Sequence, residues 1–314
     1  MKKILTLTMN PALDIAAAVP RLVADTKLRC SAPTYDPGGG GINVARAIHR
    51  LGGDPLALFP AGGPAGESVV RLLEAEGLRI KIVPIRGNTR ENFAVTDREA
   101  GEQYRFSLPG PVLSAGEVQA IAAEVKASLA GVDFFVISGG LPPGVADNFY
   151  AGLIALARKS GVKVILDVTG PALAPALGEG VYLLRLNRTD FFAATGVFPQ
   201  QPKDVEPFVE DWLAQGAAKV VVITLSARGT VLMTADYCVE IIPPVVKPVS
   251  AVGAGDSFVG GMTLALAKDL SLEDAAAYGT AALVSSLQSP GTELCHQGEV
   301  EAFFKQMTSR RLRP

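Results

Sequence analysis

From about residue 132 onward the chain alternates between two kinds of apolar segment, and this alternation narrows its possible folds more than any other feature. Unbroken runs rich in β-branched residues occupy 132–137, 162–166, 182–184 and 220–224. Runs without polar alternation suit strands buried on both faces. Between them, 147–159 and 205–215 repeat apolar side chains at helical spacing. Strands and helices in alternation imply an α/β fold, with a mostly parallel central sheet flanked by helices.

The rest of the chain is read around that body. Its 314 residues can bury one large core, or a large domain with a small accessory one. Residues 4–8 are apolar but end at Asn10-Pro11, too short for a signal peptide and without a cleavage-like site. They read as a first core strand, and the protein as cytoplasmic. No apolar run has the length of a membrane-spanning helix. Residues 15–36 and 89–108 hold shorter, more polar segments, such as 91–96 and 103–107. These are expected to be strands with one side toward solvent, forming a small sheet that projects from the body as a lid. Its apolar face would seek cover from a ligand or a second subunit. Stretches 255–268 and 272–287, rich in Ala and Leu, should be helical.

Several function classes are disfavoured. With 29 basic and 31 acidic residues the formal charge is −2, which gives no electrostatic case for nucleic acid or an anionic membrane. Cys30, Cys238 and Cys295 are odd in number, and no pair has metal-ligand spacing. With His49 and His296 as the only histidines, a Ser-His-Asp or His-metal enzyme is poorly supplied.

Two segments carry chemistry. In Val252-Gly253-Ala254-Gly255-Asp256 three small residues precede an acid and a helical stretch. Glycine lets successive N–H groups turn toward one spot, and a helix starting there adds its positive end, so the place suits an anion. Taken alone, Asp256 is either a helix-start carboxylate favoured by the dipole or a general base beside developing phosphoryl charge. In Gly38-Gly39-Gly40-Gly41-Ile42-Asn43 four bare residues precede an amphipathic helix, more than a turn requires, which favours close approach of a ligand to the main chain. Asn43 breaks a dinucleotide fingerprint, and no P-loop string occurs.

Asn10-Pro11-Ala12-Leu13-Asp14, the glycine run ending at Asn43, and Gly253-Ala254-Gly255-Asp256 stand in one order along the chain. Together they resemble the phosphofructokinase B group of the ribokinase-like kinases over nearly the whole length. The resemblance implies one ribokinase-like domain, 1–314, with lid strands from about 15–36 and 89–108. It implies ATP and Mg²⁺, and a homodimer formed through the lid. Asp256 would be the catalytic base, with the amides of Gly253, Ala254 and Gly255 around it. Asp14, Asn43 and the Gly39 backbone would hold sugar hydroxyls, and Lys27, Arg90 and Arg105 would grip the phosphate already on the sugar. Lone cations are otherwise most often solvated side chains. Arg185 stands where the group has Lys near the phosphates, a cation of different geometry. Asn187, Thr224, Ser226 and Gly229 match the nucleotide side, although the last three also suit an ordinary hairpin turn. Asp190 replaces the group's Glu near Mg²⁺, where a water could span the shorter reach. Ser250, Val252, Ser286, Ser289 and Gly291 fall where relatives bind a monovalent cation, here K⁺. Gly139-Gly140 stands where the most similar members carry Gly-Ser, losing a hydroxyl expected near the sugar phosphate. Val23 stands where they carry an aromatic residue at a second, inhibitory nucleotide site, so inhibition by ATP is not expected.

The implied reaction is in-line transfer of the ATP γ-phosphoryl to the free primary hydroxyl of fructose 6-phosphate. Tagatose 6-phosphate and fructose 1-phosphate are the rival acceptors, and a non-catalytic sugar-phosphate sensor is the rival class.

Overall fold

The computed structural model describes residues 1–225, 228–289 and 293–313. The chain opens in β1 (Ile4–Leu7), moves out to β2 (Ala12–Val19) and β3 (Thr34–Gly38), and returns in α1 (Gly40–Arg50). After β4 (Leu56–Ala61), α2 (Gly63–Ala75) and β5 (Arg79–Pro84) it moves out again through β6 (Arg90–Asp97) and β7 (Glu102–Ser107). Helices and strands then alternate: α3 (Ala115–Ser128), β8 (Phe134–Ser138), α4 (Phe149–Lys159), β9 (Lys163–Asp167), α5 (Leu173–Gly178) and β10 (Val181–Asn187). They continue through α6 (Arg188–Thr195), α7 (Glu206–Ala214) and β11 (Ala218–Thr224). The last third holds β12 (Thr230–Met233), β13 (Cys238–Ile242), α8 (Ala254–Ala267), α9 (Leu272–Gln288), α10 (Gln297–Phe304) and β14 (Thr308–Arg313).

Ten strands form one sheet in the order β14-β13-β12-β11-β10-β9-β8-β1-β4-β5. Pairing is parallel from β11 through β5 and antiparallel among β11 to β14. The unbroken apolar runs follow from two-sided burial. Phe135 and Ile137 face a core built with α3, α4 and α7, while Phe134 and Val136 face one built with α1, α8, α9 and α10. Small residues let the helices of the second core pack closely: a Cβ on Gly260 of α8 would come within 2.7 Å of Ala47 Cβ on α1. Strand order reverses at β1, which has β8 on one side and β4 on the other. In open α/β sheets such a switch point marks the ligand crevice, outside the carboxyl ends of the strands.

The second sheet has the order β3-β2-β6-β7. Its core pair, β2 and β6, is parallel, and both flanking pairs are antiparallel. The strands start at Ala12 and stop short of the span read from sequence, because residues 20–33 form the connection between β2 and β3. Register sorts the side chains into two rows. Asp36, Asp14, Asn92 and Ser107 lie in one, and Tyr35, Ile15, Phe93 and Phe106 in the next. β7 is exposed along its whole length rather than on one side only.

Candidate active site

Gly253 stops the chain ahead of α8 in the left-handed region, at φ 72°. A Cβ there would also meet Leu294 Cδ2 at 2.5 Å, so the position is restricted to glycine twice over. The N–H groups of the first turn, Ala254 to Asp256, have no intrahelical acceptor and carry the positive end of the helix dipole. Asp256 lies in that turn, and Asn43 Nδ2 of α1 donates to its Oδ2 at 2.9 Å. Burial pushes the Asp256 carboxyl up to about 7, and repulsion from Asp167 adds to it. The Asn43 hydrogen bond and Arg185 oppose the rise, and Asp14 adds a smaller push upward. A carboxylate poised near neutrality is suited to accept a proton at working pH.

Behind the turn, Arg185 of β10 is only 5% exposed. Its Nη1 donates to Asp167 Oδ1 at 3.0 Å and its Nη2 to Thr224 Oγ1 at 2.8 Å. A Cβ on Gly255 would come within 2.7 Å of Nη1, so that glycine leaves room for the guanidinium beneath the helix start. Asp167, at the end of β9, also accepts from Ser138 Oγ at 3.0 Å. Asn187 and Asp190 form a reciprocal cap on α6: Asp190 N–H donates to Asn187 Oδ1 at 2.9 Å, and Asn187 N–H returns to Asp190 Oδ2 at 3.4 Å. Burial raises the Asp190 carboxyl, and the charge of Asp167 contributes. Two hard carboxylates that repel each other beside an anion site fit Mg²⁺ brought in on phosphate oxygens. Arg185, Asn187, Thr224 and Gly255 line one open cleft of about 390 Å³.

On the lid side, Asp14 shares a cavity with Asn92, Arg105 and Val252. Burial raises the Asp14 carboxyl, opposed first by a hydrogen bond from Asn92. Arg90 opens β6 and is held by backbone carbonyls: its Nη1 donates to Leu108 O at 3.1 Å and its Nη2 to Asn10 O at 3.2 Å. Burial lowers the Arg90 pKa, while Asp14 favours its charge.

The glycine run also serves close packing, a basis its sequence does not suggest. Gly39 has φ 114°, and a Cβ there would strike Thr8 Cγ2 at 2.6 Å. On Gly40 it would strike Ser138 Oγ, and on Gly41 the Leu7 carbonyl oxygen, each at 2.3 Å. The bare positions let the start of α1 nest against the ends of β1 and β8, which is what brings Asn43 to Asp256. Lys27 lies in the exposed connection between β2 and β3, not on a lid strand, and is not among the residues lining the Asp14 cavity.

Thr224 is buried with its hydroxyl receiving Arg185. Gly229, at φ 109°, has no room for a Cβ against the Ile241 carbonyl oxygen 2.1 Å away, as a tight hairpin demands. Ser226 and Gly291 lie outside the described residues. The other cation candidates gather at the end of α9. Ser250 N–H donates to Leu287 O at 3.2 Å, Val252 N–H to Ser250 Oγ at 3.2 Å, and Ser289 N–H to Ser286 O at 3.2 Å. Among the described residues the buried Ser286 hydroxyl has no partner. Oxygen donors at the negative end of a helix fit a monovalent cation.

Asp167, Ser138, Asn92 and Tyr150 escape motif reasoning. The Tyr150 hydroxyl donates to Gly139 O at 2.9 Å and steadies the turn after β8. Asp167 had one usable signal, a carboxylate just past an apolar run at the end of a parallel strand.

A carboxyl raised toward neutrality at a helix start, a cleft lined by Arg185 on one side and a polar pocket under a small sheet on the other suit a carbohydrate kinase. Residues 7–297 match the model of the pfkB family of carbohydrate kinases, and the chain belongs to that family. It is 41% identical over 305 residues to the ATP-dependent 6-phosphofructokinase isozyme 2 of Escherichia coli strain K12, covering 97% of this chain and 98% of that one. The enzyme of the same name from Mycobacterium tuberculosis is 40% identical, covering 96% and 89%. The crystal structure of E. coli phosphofructokinase-2 in complex with potassium superposes with a TM-score of 0.92 at 40% identity, over 98% and 99% of the two chains.

Proposed function

We propose that the chain is an ATP-dependent 6-phosphofructokinase that phosphorylates the 1-hydroxyl of fructose 6-phosphate to give fructose 1,6-bisphosphate. The observation that carries this is Asp256, raised to about 7, in the first turn of α8 with Asn43 on its Oδ2. The choice of sugar rests on similarity to enzymes named for that reaction.

Asp256 Oδ1, the oxygen not engaged by Asn43, takes the proton of the attacking hydroxyl. The amides of the first turn and Arg185 stabilise charge on the moving phosphoryl group. Such transfers depend on positioning and electrostatics more than on covalent chemistry. Asp14 and the Gly39 backbone accept and orient sugar hydroxyls, with Asn43 between sugar and base. Arg90 and Arg105 balance the sugar's phosphate. Asp190 and Asp167 would hold Mg²⁺, which offsets charge on the ATP phosphates. Ser250, Val252, Ser286 and Ser289 would hold K⁺, in keeping with the potassium complex of the E. coli enzyme. The exposed row containing Tyr35, Phe93 and Phe106 would be covered by a second copy of the chain.

A coupled assay of ADP release over a panel of sugar phosphates tests the reading. Fructose 6-phosphate should give the highest kcat/KM. Preference for tagatose 6-phosphate or fructose 1-phosphate would reassign the acceptor. Binding with no ADP release under any cation would leave a sensor.

A further inference from the structure

Leu108, just beyond β7, ties the cation and the carboxylate of the sugar pocket together. Its carbonyl accepts from Arg90 Nη1 at 3.1 Å, and its N–H donates to Asn92 Oδ1 at 3.3 Å. Asn92 Nδ2 then donates to Asp14 Oδ1 at 2.7 Å. Asp14 and Asn92 are direct partners in the parallel β2–β6 register, so both side chains leave the same face of the sheet. Only the amide oxygen can receive the Leu108 N–H, which commits the amide NH₂ to the carboxylate. A flipped amide would set oxygen against carboxylate and N–H against N–H, two repulsions at once.

We infer that Asn92 is a positioning residue of the sugar pocket, holding Asp14 in the orientation that receives sugar hydroxyls and linking it through Leu108 to Arg90. The inference rests on the sugar-phosphate kinase reading above and deepens it. Asn92 occupies one oxygen of Asp14 and leaves the other. A Cβ on Gly38 would stand 2.2 Å from that second oxygen, so glycine there keeps it open. An amide suits position 92 where a cation would not, because it orients the carboxylate without neutralising the charge that attracts hydroxyl protons. The charged groups facing Asp14 are Arg90 of β6, Arg105 of β7 and Asp36 of β3, with Asp256 of α8 beyond the pocket. Burial works against its ionised form, and the Asn92 bond opposes that more than either arginine does.

The test compares Asn92→Ala and Asn92→Asp with the intact enzyme, measuring KM for fructose 6-phosphate, KM for MgATP and kcat from about pH 6 to pH 9. Asn92→Ala should raise the sugar KM roughly 10–100-fold, the weight of a hydrogen bond to a charged group, with kcat and the ATP KM within about twofold. Asn92→Asp faces two carboxylates that must share a proton. Protonated, the new side chain can donate to Asp14 as the amide does; ionised, it repels Asp14. Its sugar KM relative to the intact enzyme should therefore climb with pH, a response that loss of packing alone would not give. It also keeps the inference testable if the alanine variant fails to fold. A native sugar KM in Asn92→Ala, or a pH-independent ratio in Asn92→Asp, would overturn the inference while leaving the kinase reading intact. An intact enzyme that phosphorylates no sugar phosphate would remove both.

Discussion

Asp256 is held in a form the fold disfavours. Its folded pKa of about 7 lies above the ordinary 3.8, so the folded chain binds the proton more tightly than the unfolded one. Stability from this group is full below the ordinary value and is lost as pH rises through about 7. Asp256→Asn should therefore melt above the native protein at about pH 8, with the gap closing toward about pH 4, as thermal unfolding across pH will show. Arg185→Met should act oppositely. It strips Asp167 of its buried partner, and breaking such a pair costs about 3–5 kcal/mol, readable by urea unfolding. Arg90→Ala should chiefly raise the sugar-phosphate KM, and an unchanged KM would move the phosphate site elsewhere. Asp256 and Asn43 were legible because glycine-rich strings precede them, and Asp14 because the Asn10-Pro11-Ala12-Leu13 string before it carries part of the family resemblance. Asp167 and Asn92 were not, because each is a single residue whose neighbours are set by strand register across long stretches of chain.

At the scale of elements, the start of α1 shows how close packing serves the site. Gly40→Ala would place a Cβ 2.3 Å from Ser138 Oγ and 2.9 Å from the Gly139 nitrogen. Helix α1 must then back away from β8 and carry Asn43 off Asp256. Overpacking of this kind costs roughly 1–3 kcal/mol. Turnover should fall with it, whereas Gly140→Ala, with nothing within 4 Å of the added carbon, should leave stability close to native. Calorimetry and steady-state kinetics on both variants check the contrast. The body strands could be read from sequence because two-sided burial writes itself as an unbroken apolar run, as at Phe134–Ser138. The lid resisted at its edges. β7 is exposed on both faces and lacks a buried stripe to mark its register, and Lys27 falls in a connection where no pattern distinguishes strand from loop.

For the whole molecule, the start of α8 lies between a cavity under the lid that includes Val252 and Asp14 and a cleft lined by Arg185 and Gly255. The register row next to Asp14 presents Tyr35, Phe93 and Phe106, which are 51%, 38% and 51% exposed. If a second copy covers that row, Phe93→Glu should halve the solution mass seen by analytical ultracentrifugation, and an unchanged mass would place the interface elsewhere. The α/β class and the alternation of strands and helices after residue 132 were readable from periodicity, and the kinase chemistry from three motifs in register. The second copy proposed to cover the lid was suggested by an apolar face wanting cover and by the family resemblance. If Asp256 takes the proton of the attacking hydroxyl, kcat for fructose 6-phosphate in Asp256→Asn measures that transfer most directly. A fall of roughly 10²–10⁴-fold in a variant that still binds sugar phosphate and ATP is the predicted result; near-native turnover by the folded variant would contradict it.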